Sequence, residues 1–188
     1  MYPAIFLDRD GVIIENVSTY VRSWADVTIF PQAVQALARL NPSPYKIVIV
    51  TNQAGIGKGL FSRAEADDIN RRLLGEIERA GGRIDGVFIC PHTPSDNCDC
   101  RKPKPGLFLQ AAHQLSLDMP QSLAIGDRWF DLLAARAAGI SRLGLVTTGL
   151  GASELLLPRP PEMETVPVFA SLAEALAVLA NQEMPDAR

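Results

Sequence analysis

Short apolar runs and longer amphipathic stretches alternate along most of this chain. Ala4-Ile5-Phe6-Leu7, Lys46 to Val50, Gly86 to Ile89, Ser122 to Ile125 and Arg142 to Val146 are brief and rich in branched residues, and they predict strands. Helical periodicity fills the intervals, over Gln32 to Leu40, Ser62 to about Arg79, Leu107 to Leu115 and Trp129 to Ala138. Ser62 with Glu65 forms a capping-box pattern, Gly81-Gly82 stops that helix, and Gly139 closes the last one. Strands alternating with helices need right-handed crossovers, which set parallel strands side by side with helices on both faces. The fold expected is α/β, a doubly wound and mainly parallel sheet.

The pattern loosens toward the C-terminus. Leu155 to Pro167 holds four prolines and predicts a loop across the surface. Ser171-Leu172-Ala173-Glu174 repeats the capping-box pattern and opens a helix ending near Ala180, after which Gln182 to Arg188 is expected to fray. No repeat or low-complexity tract interrupts the chain, and no insertion is long enough to form a separate lid. A single domain over residues 1–188 is expected, with the loop and helix of 150–181 packed on it.

Composition narrows the function classes. A net charge of -3 lacks the basic footprint of a nucleic-acid binder. No run of 18 apolar residues predicts a membrane span, and Met1-Tyr2-Pro3-Ala4 does not begin a secretory leader. Cys90, Cys98 and Cys100 are the only cysteines, an odd number in a short cluster. That argues for reduced thiols or metal ligands rather than disulfides, and hence for the cytoplasm.

The chemistry-bearing residues gather where strands end. Asp8-Arg9-Asp10-Gly11 follows the first strand directly. In an open parallel sheet ligands bind beyond the carboxyl ends of the strands, and residues two apart in extended backbone face the same side. Two carboxylates at one site repel unless a cation sits between them, and Mg2+ suits carboxylates plus phosphate oxygens. Val48-Ile49-Val50 runs into Thr51-Asn52-Gln53, whose hydroxyl and backbone N–H groups suit a phosphoryl oxygen. Ala124-Ile125-Gly126 runs into Asp127, with Asp131 four residues on. Arg101-Lys102 offers cations. Singly, each of these can also be read as a turn, a cap or a solvated charge; the ordered set is specific.

That set, Asp8-x-Asp10-Gly11, Thr51, Lys102 and Gly126-Asp127-(x3)-Asp131, resembles the four motifs of the haloacid dehalogenase superfamily of phosphohydrolases over about residues 3 to 147. The resemblance implies a Rossmann-like core and Asp8 as a nucleophile that becomes phosphorylated. It implies Asp10 as the acid and base, and Thr51 and Lys102 as holders of the phosphoryl group. It also implies a magnesium site of Asp8, Asp127 and the Asp10 backbone carbonyl. A carboxylate nucleophile splits ester hydrolysis into two easier displacements, and fixed positive charge stabilises the phosphoryl oxygens.

Cys90-Pro91-His92, five residues, then Cys98-Asp99-Cys100 supplies three thiolates and one imidazole. Such a set closes a tetrahedral Zn2+ site with no open position, which marks a structural ion. His113 lies far from it and is expected at the surface or satisfied elsewhere. Because Arg101 and Lys102 follow Cys100 at once, zinc is expected to aim both cations. A zinc loop running into Cys-Arg-Lys-Pro resembles the histidinol-phosphatase-like subfamily, and Thr51-Asn52-Gln53-Ala54-Gly55-Ile56 with Gly59 is most like its heptose-bisphosphate branch. By position the resemblance implies substrate contacts at Asn16, Tyr20, Asn52, Gln53, Arg101 and Arg128. It implies a small phosphorylated metabolite as partner and a monomer. The interval between His92 and Cys98 is short, closer to the histidinol-phosphate branch, and Arg128 stands where lysine is frequent, so histidinol phosphate and another sugar bisphosphate stay open.

Gly55-Ile56-Gly57-Lys58-Gly59 fits neither phosphate-loop pattern. Asn52 occupies the first glycine of a P-loop, and Leu60 the third glycine of a dinucleotide fingerprint. A flexible loop beside the site is expected instead. The rival from another class is a zinc-stabilised, non-catalytic phospho-accepting module, which would not need the proton donor at Asp10.

Overall fold

The computed structural model describes residues 1–180; the fraying expected over Gln182 to Arg188 falls outside them. The strands are β1 (Tyr2–Leu7), β2 (Lys46–Asn52), β3 (Gly86–Cys90), β4 (Leu117–Gly126), β5 (Arg142–Val146) and β6 (Val168–Phe169). The helices are α1 (Pro31–Arg39), α2 (Ala54–Gly57), α3 (Arg63–Arg79), α4 (Gly106–Leu115), α5 (Trp129–Ala137), α6 (Gly151–Glu154) and α7 (Leu172–Leu179). All pairings are parallel, in the order β3-β2-β1-β4-β5-β6.

The strands are apolar along both faces because helices cover both. Ile5, Leu7, Ile47 and Ile49 point into one core layer with α1, α3 and α7. Ala4, Phe6, Val48 and Val50 point into the other with α4 and α5. Phe6 meets Phe108 of α4 with ring centroids 4.9 Å apart. Period-two alternation thus survives as an alternation between two cores rather than between core and water. From β1 the chain winds outward to β3, then returns to β4 on the other side of β1 and winds out to β6. Chain order therefore reverses between β1 and β4, and the crevice beyond their carboxyl ends is where an open sheet of this kind binds ligands.

Local signals fix the ends of the elements. Pro31 occupies the first turn of α1. The Ser62 hydroxyl accepts from Glu65 N, and Glu65 accepts from Ser62 N. At α7 the Ser171 hydroxyl caps Glu174 N, but the Glu174 carboxylate accepts from Ala170 N, one residue earlier than a capping box requires. Leu155 to Pro167 does cross the surface, yet a 3-10 turn over Pro161–Met163 buries Met163 completely in the second core. The stretch expected as a flexible loop at Gly55 is instead the helical turn α2. It is packed so closely that a Cβ on Gly55 would come within 2.2 Å of the Phe61 ring. Among the described residues no helix is long and apolar enough to cross a membrane, and no large cap covers the sheet.

Candidate active site

Three strands and one loop deliver the charged groups. β1 ends at Leu7 and hands on Asp8; β4 ends at Gly126 and hands on Asp127; Thr51 lies near the end of β2. Lys102 arrives from the connection between β3 and α4. All four side chains are buried. Lys102 Nζ lies 2.6 Å from Asp8 Oδ1 and 2.6 Å from Asp131 Oδ1, and donates to the Val50 carbonyl at 2.8 Å. Asp8, Asp127 and Asp131 each offer an oxygen within 4.8 Å of the others. Asp131 belongs to this group on the same footing as the four, and its place in the motif four residues after Asp127 was the signal.

Three buried carboxylates against one ammonium leave too little positive charge. Burial raises Asp8 to about 7 although Lys102 pulls it down, with Asp131 and Asp10 adding to the rise. Burial and the charges of Asp131 and Asp8 lift Asp127 to about 8. Burial opposes the charge on Lys102, but Asp131 and Asp8 outweigh it and raise its pKa. A cluster of hard oxygen donors that resists ionising on its own suits a divalent cation such as Mg2+.

Asp10 stands slightly apart, close enough for its charge to raise Asp8. Its carboxylate accepts from Arg9 Nη2 at 3.0 and 3.1 Å and from Gln53 Nε2 at 2.7 Å. The same Gln53 nitrogen donates to Thr51 Oγ1 at 2.9 Å. Arg9 itself is fully buried and donates through Nη1 to Asn70 of α3 at 3.0 Å. Extended backbone explains the split: Asp8 and Asp10 face the crevice while Arg9 turns underneath.

Asp127 is seated by close backbone packing. Gly11 and Gly149 both have positive φ, at 91° and 59°. A Cβ on Gly11 would fall 2.1 Å from Asp127 Oδ2, and one on Gly149 would fall 2.2 Å from the Gly11 Cα. Thr148 Oγ1 donates to the Gly11 carbonyl at 2.6 Å, and Leu150 N donates to Asp127 Oδ2 at 2.8 Å. Only glycine combines that conformation with that clearance.

Of the residues expected to contact substrate, Asn52, Gln53, Arg101 and Arg128 adjoin this centre, whereas the contacts of Tyr20 lie with Lys58. Asn52 donates through Nδ2 to the Lys102 carbonyl at 3.1 Å and accepts from Lys102 N at 3.2 Å. Gln53 joins Asp10 to Thr51 as above. Arg101 Nη1 donates to the His92 carbonyl at 3.2 Å. Arg128 Nε lies 2.6 Å from Glu154 Oε2, with its guanidinium over the Phe130 ring. Tyr20 adopts φ 69° and its hydroxyl accepts from Lys58 Nζ at 2.8 Å, while Asn16 is exposed.

The cysteine loop closes on itself. Cys100 Sγ lies 3.2 Å from Cys90 Sγ, 3.4 Å from Cys98 Sγ and 3.2 Å from His92 Nδ1; Cys90 and Cys98 are 3.7 Å apart. A tetrahedron with zinc–sulfur bonds of about 2.3 Å sets its sulfurs about 3.8 Å apart. The Cys90–Cys98 separation matches that spacing, the two to Cys100 are shorter by about 0.4–0.6 Å, and the donor set of three sulfurs and one imidazole is the one that ion takes. Burial and the Cys100 thiol push Cys90 up to about 12, whereas hydrogen bonds from Cys100 and the Arg101 backbone overcome burial and bring Cys98 to about 7. His113 is exposed, away from both clusters.

Residues 4–129 match the family described as polynucleotide kinase 3 phosphatase, and residues 99–175 match the HAD-hydrolase-like family. A D-glycero-β-D-manno-heptose-1,7-bisphosphate 7-phosphatase of Bordetella bronchiseptica is 37% identical over 97% of this chain and 98% of its own. This chain belongs to the haloacid dehalogenase-like phosphatases. A 7-phosphatase of the same description from Pseudomonas aeruginosa is 35% identical over 92% of this chain and 96% of its own. The crystal structure of the B. bronchiseptica D,D-heptose 1,7-bisphosphate phosphatase, complexed with magnesium and phosphate, superposes with a TM-score of 0.87 at 36% identity, covering 95% of this chain and 98% of that one.

Within a haloacid dehalogenase-like phosphatase, the groups that sequence reasoning overlooked are those that support others. Arg9 reads as a solvated charge between two acids, and only the alternation along β1 hints that it turns inward. Asn70, Thr148 and Glu154 carry no local signal, because their partners lie 61, 137 and 25 residues away along the chain.

Proposed function

We propose that this phosphatase removes the 7-phosphate of D-glycero-D-manno-heptose 1,7-bisphosphate through an aspartyl-phosphate on Asp8, with Mg2+ at the carboxylate cluster and Zn2+ in the cysteine loop. The observation that carries the chemistry is Asp8 held 2.6 Å from the Lys102 ammonium, with the Asp10 carboxylate oriented two residues on by Arg9 and Gln53. Similarity along nearly the whole length of enzymes bearing that name supports the substrate.

In the first displacement an Asp8 oxygen attacks phosphorus, and the bond from phosphorus to the sugar oxygen breaks. Asp10 gives its proton to that departing alkoxide. In the second, Asp10 takes a proton from water as the water oxygen attacks the aspartyl-phosphate. The Asp8–phosphorus bond breaks, inorganic phosphate leaves and Asp8 is a carboxylate again. Thr51 and Lys102 hold the phosphoryl oxygens, so part of their new charge meets a fixed cation. Asp8, Asp127 and the Asp10 carbonyl would hold Mg2+, which when bound supplies positive charge beside the transferring oxygens. The zinc loop would keep Arg101 and Lys102 in register with the crevice. Asn16, Tyr20, Asn52, Gln53, Arg101 and Arg128 are the candidates for substrate contact or for holding groups that make it. The partner is a small phosphorylated metabolite. Three free thiols gathered for one ion suit the reducing cytoplasm, where the protein would act as a monomer.

The His92 to Cys98 interval keeps histidinol phosphate as a second reading. Phosphate release from heptose 1,7-bisphosphate, histidinol phosphate and fructose 1,6-bisphosphate decides between them. A preference of about a hundredfold in kcat/KM, about 2.7 kcal/mol, is expected for the heptose ester. Equal or better turnover of histidinol phosphate refutes the substrate, and activity persisting in Asp8→Asn refutes the mechanism.

A further inference from the structure

The geometry points to Glu154 as a positioning residue that makes Arg128 an anion-binding fork, and so favours substrates with a second phosphate over those with one. This rests on reading Arg128 as a substrate contact. Glu154 lies on α6, in the part of the chain whose sequence shows nothing but a loop, and it is buried. An isolated carboxylate is costly to bury, so its partners state its task. Oε1 accepts from Trp129 N at 3.0 Å, at the first residue of α5. Oε2 lies 2.6 Å from Arg128 Nε. Both partners adjoin Asp127.

Glu154 approaches the Nε end of the guanidinium, close enough to pair its charge although Nε–H is not aligned to it as a hydrogen bond. Nη1 and Nη2, the two-pronged outer edge, are left without a partner among the described residues. That edge matches two oxygens of a phosphate. The Arg128 side chain is one-third exposed while Glu154 is not, so the ion pair is anchored on its buried side and open on the other. Phe130 braces it, with Arg128 Cζ 4.9 Å from the ring centroid. The same ring lies 5.9 Å from Lys102 Nζ, so the fork and the ammonium assigned to the transferred phosphoryl group share one aromatic neighbour. A phosphate at Arg128 and a phosphate at Lys102 would then belong to one substrate.

Glu154→Gln keeps an acceptor for Trp129 N and removes the charge opposite Arg128. KM for heptose 1,7-bisphosphate is expected to rise about tenfold with a smaller fall in kcat, while KM for p-nitrophenyl phosphate, which has no second phosphate, moves less than about twofold. Arg128→Met should raise the bisphosphate KM at least as much. Adding Glu154→Gln to Arg128→Met should then change it little, because the acid acts through the arginine. Independent, additive losses in the double variant, or a normal bisphosphate KM in Glu154→Gln when Arg128→Met raises it, would overturn the role of Glu154. A normal bisphosphate KM in Arg128→Met would instead overturn the substrate reading beneath it. Should Glu154→Gln fail to fold, the double variant leaves neither charge without its partner, and its KM against that of Arg128→Met still decides: equal values support the role, a further rise removes it.

Discussion

Asn52→Ala tests whether Lys102, the lysine proposed to hold the phosphoryl group, is positioned through its backbone. Asn52 is the last residue of β2, and its amide meets both the N–H and the carbonyl of Lys102 at 3.2 and 3.1 Å. Each such bond contributes about 1 kcal/mol net, and a partner left unmet costs about 1–3 kcal/mol. Asn52 is only half-buried, so water would satisfy part of what alanine leaves open, and a loss of about 2 kcal/mol follows. In a chain of this size that corresponds to roughly 4–8 °C in Tm. Lys102 Nζ keeps its bonds to Asp8 and the Val50 carbonyl, so the ammonium loosens rather than leaves. Since a displacement of about 1 Å can cost up to about a hundredfold, kcat should fall about tenfold to thirtyfold with a smaller change in KM. Thermal unfolding and phosphate release at saturating Mg2+ measure both. An unchanged Tm with a raised KM would refute the reasoning and return Asn52 to direct contact with substrate.

Other perturbations read other parts of the site. Cys98→Ser should lower bound zinc, measured by elemental analysis, and reduce turnover even at saturating Mg2+; full turnover after confirmed zinc loss would separate the loop from Lys102. Gly11→Ala forces a side chain into a left-handed conformation, at about 1–2 kcal/mol, and against Asp127 Oδ2, so the Mg2+ dissociation constant from calorimetry should rise about tenfold or more. Asp8 and Asp127 are raised on folding to about 7 and about 8 from an ordinary value near 4. The metal-free protein therefore has its greatest contribution from these groups below pH 4 and loses it as pH rises through 7 to 8. Because Mg2+ binds the ionised carboxylates, the Tm gained on adding it should grow from pH 6 to pH 8.5; a gain independent of pH would contradict the raised values.

Most of what local pattern encodes could be read directly. The Ser62–Glu65 box, the glycines that stop α3 and α5, and the branched runs of β1, β2 and β5 act over a few residues, and the structure places those elements within a residue or two. The four cysteine-loop side chains converge, and Asp8, Thr51, Lys102 and Asp127 lie along one edge of the sheet, because each follows a strand or a closed loop that has its own signal. Shorter features gave none. β6 spans two residues and pairs only because β5 offers it an edge, and α2 forms where Gly55 can approach Phe61.

By itself, then, the order of residues determined the alternating elements, the candidates for the reacting groups and the side chains that could hold each metal, since periodicity, caps and spacing all work at short range. Tertiary structure alone decided which carboxylates share a cavity, that Arg9 lies beneath Asp10, that Asn52 holds Lys102, and that Glu154 faces Arg128. Those relations depend on which strands are neighbours and how closely two glycines let loops approach. Burial then sets the strength of the charges brought together, and no stretch of chain contains its own burial.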